Sequence, residues 1–429
     1  MELKIKRSEA TGETLYHTRH SSGLGIYIIP KKDYSQTYAI FGTHYGSVDS
    51  EFIVPGETEV TSVPDGIAHY LEHKMFDQPD GSNVFDKFAK YGGSANAFTS
   101  FNMTAYLVSC TSNVEENLET LLDYVQSPYY TDETVQKEQG IIGQEINMYD
   151  DSGSWKVYFN FLGCLYRNHP VKKEIAGTIE SISHITPDYL YKCYNTFYNL
   201  SNMSIVVVGN VDPDRIADVI EKGIKKNEPF NEEIKRIYPE EPDEIAAPYA
   251  EQKLSVAMPL FMMGFKDTDV GYSGMRLLKK NVEMSILTQM LFGKSSRLYR
   301  RLYEQGLITP SFSAEYTMQP DYGYTTVDGE SPDPKKVYEM MLEEIDTIRA
   351  EGLCEEDFDR IKRYNWGKYI KTMNDVEDYA ATYLQLIMMD IDYLDYYEVY
   401  KEITFEDIKK RFNEHFVRER SALSVVWPV

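Results

Sequence analysis

The 429-residue chain is poor in the residues that most often announce chemistry: four cysteines, eight histidines and three tryptophans. Cys110, Cys164, Cys193 and Cys354 lie far apart and form no CxxC pair. That spacing excludes a disulfide framework and a thiolate zinc site, so buried reduced thiols are expected. No apolar run approaches the roughly 20 residues that span a bilayer, and no membrane association is expected. The opening MELKIKRSEATGETLYHTRH has neither an apolar stretch nor a cleavage site. No signal peptide is therefore expected, and the expected location is cytoplasmic. No glycine-rich nucleotide loop follows a strand-like run. Positive charge is scarce too. Lys and Arg total 44 against 68 Asp and Glu, for a net charge of −24. Such a chain repels nucleic acid and anionic lipid. Its acidity suits basic peptides, and it also serves solubility alone.

What is present describes a globular protein. Hydrophobic residues make up 42% and charged residues 26%, and the length asks for more than one core. Residues 227–252 are acidic, hold four prolines and lack either periodicity, so they read as a linker. The expected domains are therefore 1–226, bearing the site described next, and 253–429. The ends of the two halves match. Leu190 meets Ile408, Tyr194 meets Phe412, Asn195 meets Asn413 and Tyr198 meets Phe416. Ile205 then meets Leu423, and Val207 and Val208 meet Val425 and Val426. Each end reads as an amphipathic helix, a short loop and a buried strand, which points to a duplicated unit. Strands and helices mix without strict βα alternation. The expected class is α+β: two related halves, each a largely antiparallel sheet with helices packed on it.

One motif carries the chemistry. Residues 69–73 read His-Tyr-Leu-Glu-His within a helix beginning near Asp65. At 100° per residue, Ile67, Leu71 and Met75 share one face, and His69, Glu72 and His73 share the other. Two imidazoles one turn apart can hold one metal ion, with the carboxylate beside it. Zinc suits neutral His nitrogen and carboxylate oxygen, and a catalytic zinc keeps one position for water. A neighbouring carboxylate can then take that water's proton. A third ligand is still needed. The helical pattern from Thr131 to Tyr149 has a core stripe of Val135, Ile142, Ile146 and Tyr149, bordered by Glu138 and Glu145 two turns apart. Taken alone, that helix favours a salt-bridged rim; a metal-facing pair is the alternative.

The order HxxEH is that of the inverzincins, and the surroundings resemble the pitrilysin/insulinase family. Residues 92–99, Gly-Gly-Ser-Ala-Asn-Ala-Phe-Thr, are similar to that family's Gly-Gly-x-x-Asn-Ala-x-Thr. Residues 137–146 are similar to its second glutamate-bearing helix, and His169-Pro170 and Gly177-Thr178 to its "HP…GT" segment. The type resembled is the short, bacterial, mitochondrial-processing-peptidase-like one. The resemblance implies a zinc metallopeptidase with one zinc per chain, ligated by His69, His73 and Glu145. It implies Glu72 as general base and Glu138 as the auxiliary acid that orients the site. It places Asn96 and Ala97 where the family binds substrate backbone, and the substrate would be a peptide or unfolded segment. A non-catalytic peptide-binding or core subunit of the same fold is the alternative.

The second half has no HxxEH, so the resemblance gives it no active site of its own. Residues 293–307 are similar to the family's Gly-x-x-Ser-Arg-Leu stretch, after which the family places an Arg and a Tyr. Here those positions hold Tyr303 and Thr309, with Arg300 and Arg301 close by. Family members of this length form one half of a clamshell. The expected partner is thus a zinc-lacking paralogue that supplies the missing pair, or else a second copy of this chain.

Overall fold

The structure, a computed structural model, describes residues 1–225 and 228–429. The domain edge expected at 226 and 227 lies outside the described residues. The class is α+β, with largely antiparallel sheets that carry helices. Among the described residues no helix is long and apolar enough to cross a membrane. They form two compact units, neither of them one continuous stretch.

The first unit comprises Met1–Ile146, Lys173–Tyr238 and Lys371–Met388. Its sheet runs Lys4–Arg7, Thr14–Arg19, Gly25–Pro30, Met203–Gly209, Thr37–Thr43, Thr104–Cys110 and Ser94–Thr99 in spatial order. Gly25–Pro30 and Met203–Gly209 pair parallel, and the other neighbours pair antiparallel. Thr37–Thr43 is buried along its whole length. It therefore shows no alternation of apolar and polar residues, as expected of a strand covered on both faces. One cover is the helix Val376–Ile387, which comes from far along the chain to lie on Thr37–Thr43 and Met203–Gly209. Its Asp375 cap accepts hydrogen bonds from the Glu377 and Asp378 amides. Its inward residues Tyr379, Ala380, Tyr383 and Leu384 are all fully buried. The strand admits this helix because Gly42 has no side chain; a Cβ there would stand 2.6 Å from Leu384 Cδ2.

The second unit comprises Asn147–Lys172, Pro239–Ile370 and Met389–Val429. Its sheet runs Tyr249–Leu254, Ser421–Pro428, Leu260–Lys266, Gly323–Glu330 and Ser313–Met318. Here the first two pair parallel and the rest antiparallel. The helix Gly153–Leu165 lies on the first three of these strands. Each unit thus takes one sheet-covering helix from the other half of the sequence.

The register repeats as well as the order. Ile205 stands opposite Ile26 on one side and Phe41 on the other. Leu423, its match in the second half, stands opposite Tyr249 and Met263. Thr186 caps the helix before the first of these strands, through the Tyr189 amide, and Thr404 caps its counterpart through the Asp407 amide. The segment read as a linker contributes one short strand to a separate three-stranded sheet, with Glu51–Ile53 and Thr61–Ser62, and one strand to the second unit's sheet. Lys235–Arg236 pairs with Glu51–Ile53, and Tyr249–Leu254 is a full sheet strand. Between them, Glu241 accepts the backbone amides of Arg167, Asn168 and His169.

Candidate metal centre

The helix that carries the two histidines spans Ile67–Lys74. Its start is fixed by two glycines set back to back. Gly66 has φ 90° and Gly177 has φ 72°. A Cβ on Gly66 would lie 2.4 Å from the Ala176 carbonyl oxygen, and one on Gly177 would lie 2.5 Å from that of Asp65. Only glycine permits both the left-handed backbone and so close an approach. Ser181 Oγ donates to the same Asp65 oxygen at 2.8 Å, which joins the Gly177-Thr178 segment to the helix entry.

The second helix runs Asp132–Asp150. Val135, Ile142 and Ile146 are buried as the periodicity asked, whereas Tyr149 is half-buried and stacks on Trp155. Tyr70 is fully buried between the histidines of the first helix and donates its hydroxyl to the Val135 carbonyl oxygen. That bond fixes the two helices against each other one turn from the site.

The packing brings His69, His73 and Glu145 together, with one nitrogen or oxygen of each lying within 4.8 Å of the others. His69 Nε2 is 3.6 Å from Glu145 Oε1, and His73 Nε2 is 3.4 Å from Glu145 Oε2. These separations exceed an ordinary hydrogen bond. They match the roughly 3.4 Å between neighbouring ligand atoms of a tetrahedral shell with bonds of about 2.1 Å. Two imidazoles and one carboxylate are also a ligand set that leaves a position for water. The donors present therefore fit zinc.

Glu138 takes a different place from Glu145. Its Oε1 lies 3.0 Å from His73 Nδ1, on the far side of the ring from Glu145. Burial alone would lower the basicity of His73, but its hydrogen bond to Glu138 and the Glu145 carboxylate facing its other nitrogen outweigh that and push it up to about 10. Glu72 is buried beside the same ring, at 8% exposure. Desolvation raises its carboxyl above the ordinary range, opposed by the charges of the histidines and by a hydrogen bond from Thr99.

Asn96 and Ala97 lie on Ser94–Thr99, the outermost strand of the first unit's sheet. They pair with Leu107 and Tyr106, and the other edge of the strand carries no strand among the described residues. Asn96 is exposed, and its Oδ1 accepts the Ala97 amide at 2.9 Å. In the second unit, Arg301 is held by buried Glu344 at 3.0 Å, while Arg300 and Tyr303 are exposed on the helix Arg297–Glu304. The sequence reading passed over Thr99. It closes the motif of residues 92–99, but nothing in the sequence shows where its hydroxyl points.

A cluster of two histidines and one carboxylate beside a buried glutamate, on an α+β framework whose two larger sheets repeat one strand order, marks a protein able to hold a metal ion. Comparison with known proteins gives the family. Residues 56–179 match the model for insulinase (peptidase family M16), and residues 184–365 match that for the peptidase M16 inactive domain. The chain belongs to this pitrilysin/insulinase family. It is 44% identical to the uncharacterized zinc protease YmfH of Bacillus subtilis, over 99% of each chain. It is 25% identical to the zinc protease PqqE of Helicobacter pylori, over 87% of this chain and 86% of that one. A crystal structure described as that of an M16-like peptidase from Alicyclobacillus acidocaldarius superposes with a TM-score of 0.93, at 36% identity and full coverage of both chains.

Proposed function

We propose that the chain is a zinc-dependent peptidase that hydrolyses peptide bonds in peptides or unfolded segments. The observation that carries this reading is the convergence of His69, His73 and Glu145, with Glu72 between the two histidines on one helix. Those three residues would hold one zinc ion, which supplies Lewis acidity toward water and toward a carbonyl oxygen. Glu72 takes a proton from the attacking water and returns it to the leaving amine nitrogen. Its burial suits both steps, because a carboxyl with raised proton affinity is a better base and can hold the proton until it is delivered. Glu138 accepts the His73 Nδ1 proton, which keeps the Nε2 lone pair turned toward Glu145 and His69. The open edge of Ser94–Thr99, with Asn96 and Ala97, would take an extended peptide by main-chain pairing.

The same reading makes the protein a cytoplasmic member of a dimer, paired with a zinc-lacking paralogue or with itself. The exposed Tyr303 and the engaged Arg301 support the need for a partner. The second reading is a peptide-binding or core subunit without catalysis, which the inactive-domain match over 184–365 leaves open. Purified chain incubated with a diverse peptide mixture separates the two, with cleavage read by mass spectrometry and metal quantified. Cleavage that is lost both on chelation and in Glu72→Gln supports the peptidase. Stoichiometric zinc without cleavage favours the partner-dependent or binding role.

A further inference from the structure

We propose that Thr99 is a positioning residue that sets the orientation of the Glu72 carboxylate; this rests on the reading of Glu72 as general base. Thr99 Oγ1 donates to Glu72 Oε2 at 2.6 Å. That lies within the range of about 2.5–2.7 Å usual for a hydroxyl–carboxylate bond, the stronger, charge-assisted kind. The direction of the bond follows from its neighbours. Thr99 Oγ1 also lies 3.3 Å from Thr104 Oγ1, its cross-strand partner. Thr104 is fully buried and donates its single proton to the Tyr45 carbonyl oxygen at 2.9 Å. Thr104 therefore has no proton left for Thr99. The best acceptor within reach of the Thr99 hydroxyl is the carboxylate.

The consequence is geometric. A glutamate on a helix has three side-chain torsions, and a buried carboxylate with one oxygen tied has lost most of that freedom. With Oε2 tied to Thr99, Oε1 is the oxygen left for the proton of water. A base held in this way meets its water in a single geometry, and a misplacement of about 1 Å can lower the rate about 100-fold. The tie also starts from a particular strand. Ala95, Ala97 and Thr99 alternate onto one face of Ser94–Thr99, and among the described residues this strand is one of the two edges of the sheet. The backbone offered to a peptide and the hydroxyl that aims the base thus belong to one rigid element, next to the helix Ile67–Lys74.

The test compares full-length Thr99→Val, which keeps the shape and removes the donor, with Thr99→Ser, which keeps the donor, and with Glu72→Gln. The expected result is a fall in kcat of about 10- to 100-fold for Thr99→Val with KM nearly unchanged, and near-wild-type kcat for Thr99→Ser. Zinc affinity by chelator competition and the thermal midpoint should stay at wild-type values in both Thr99 variants. A crystal structure of Thr99→Val should show the Glu72 carboxylate rotated or in two rotamers, and that of Thr99→Ser a single one. This last readout stands whether or not the isolated chain cleaves. A Glu72 carboxylate unmoved in Thr99→Val overturns the proposal. So does wild-type kcat for Thr99→Val beside an inactive Glu72→Gln, which leaves the base reading intact. Undiminished cleavage by Glu72→Gln overturns both together.

Discussion

His73 Nδ1 stands 3.0 Å from Glu138 Oε1, so one imidazole is held between two acids of a single helix, Glu138 behind it and Glu145 in front. The rear bond fixes the ring plane and keeps a proton on Nδ1, so Nε2 is the nitrogen left to face Glu145. Glu138→Ala removes the acceptor that faces His73 Nδ1. Its zinc affinity should fall about 10- to 100-fold, which chelator competition would measure. Glu138→Gln keeps an acceptor without the charge, and its loss should be smaller. Equal affinity in Glu138→Ala and wild type would reduce Glu138 to a surface acid.

Glu72 and the ligands should separate in their effects. Glu72→Gln should keep one zinc per chain and lower kcat by about 10²- to 10⁴-fold. His69→Ala and Glu145→Ala should lose the metal itself. Because zinc would bind only folded protein, chelation should also lower the thermal midpoint. Free zinc at about 100 times its Kd contributes about 2.7 kcal/mol. A midpoint indifferent to chelator in wild type would remove the metal from the account.

The histidine helix was legible because HxxEH imposes its own geometry. Glu145 was visible only as one of a pair, since periodicity gives the face of a helix and not its neighbour. Gly153–Leu165 was not legible. Its early apolar residues Val157, Phe159 and Phe161 are spaced by two, which imitates a strand, and all three are buried because this helix lies on a sheet. Gly323–Glu330 was missed for the opposite reason: its Thr325 and Thr326 are polar yet buried. The crossing of Val376–Ile387 into the first unit leaves no local trace, because long-range packing decides which sheet an amphipathic helix covers. Thr99 belongs with these, since the effect of a hydroxyl depends on what stands opposite it.

Gly42 and Leu384 test that crossing. Leu384→Ala should destabilise the protein by about 2–5 kcal/mol through the cavity it leaves. Gly42→Ala should also destabilise, because its Cβ would meet Leu384 Cδ2 at 2.6 Å. The double variant should be better than the sum of the two, since the new methyl enters the space that Leu384 vacates. Urea unfolding followed by circular dichroism measures all three. Strict additivity would mean that the two residues do not touch.

His415 should give the second unit a pH dependence of its own. The ring is 3% exposed. Its Nε2 is 2.6 Å from Thr325 Oγ1, and its Nδ1 is 3.8 Å from Asp267 Oδ2. Burial pulls its pKa down to about 4; Asp267 opposes that, while Lys280, Arg411 and Arg420 add to it. A folded pKa below the unfolded value of 6.5 means that the unfolded chain binds more protons between the two. The contribution of His415 is therefore complete above pH 6.5 and is lost as the pH falls toward 4. At about 1.4 kcal/mol per pH unit, the loss approaches 3 kcal/mol at the acid end, on the order expected of one buried imidazole. His415→Gln cannot titrate in this range. Its urea midpoint should lie below that of wild type near neutrality, because the packing is disturbed, and should fall less steeply on acidification. If both proteins lose stability in parallel between about pH 6.5 and about pH 4.5, the acid sensitivity lies in other groups, and the buried imidazole is already protonated in the native state.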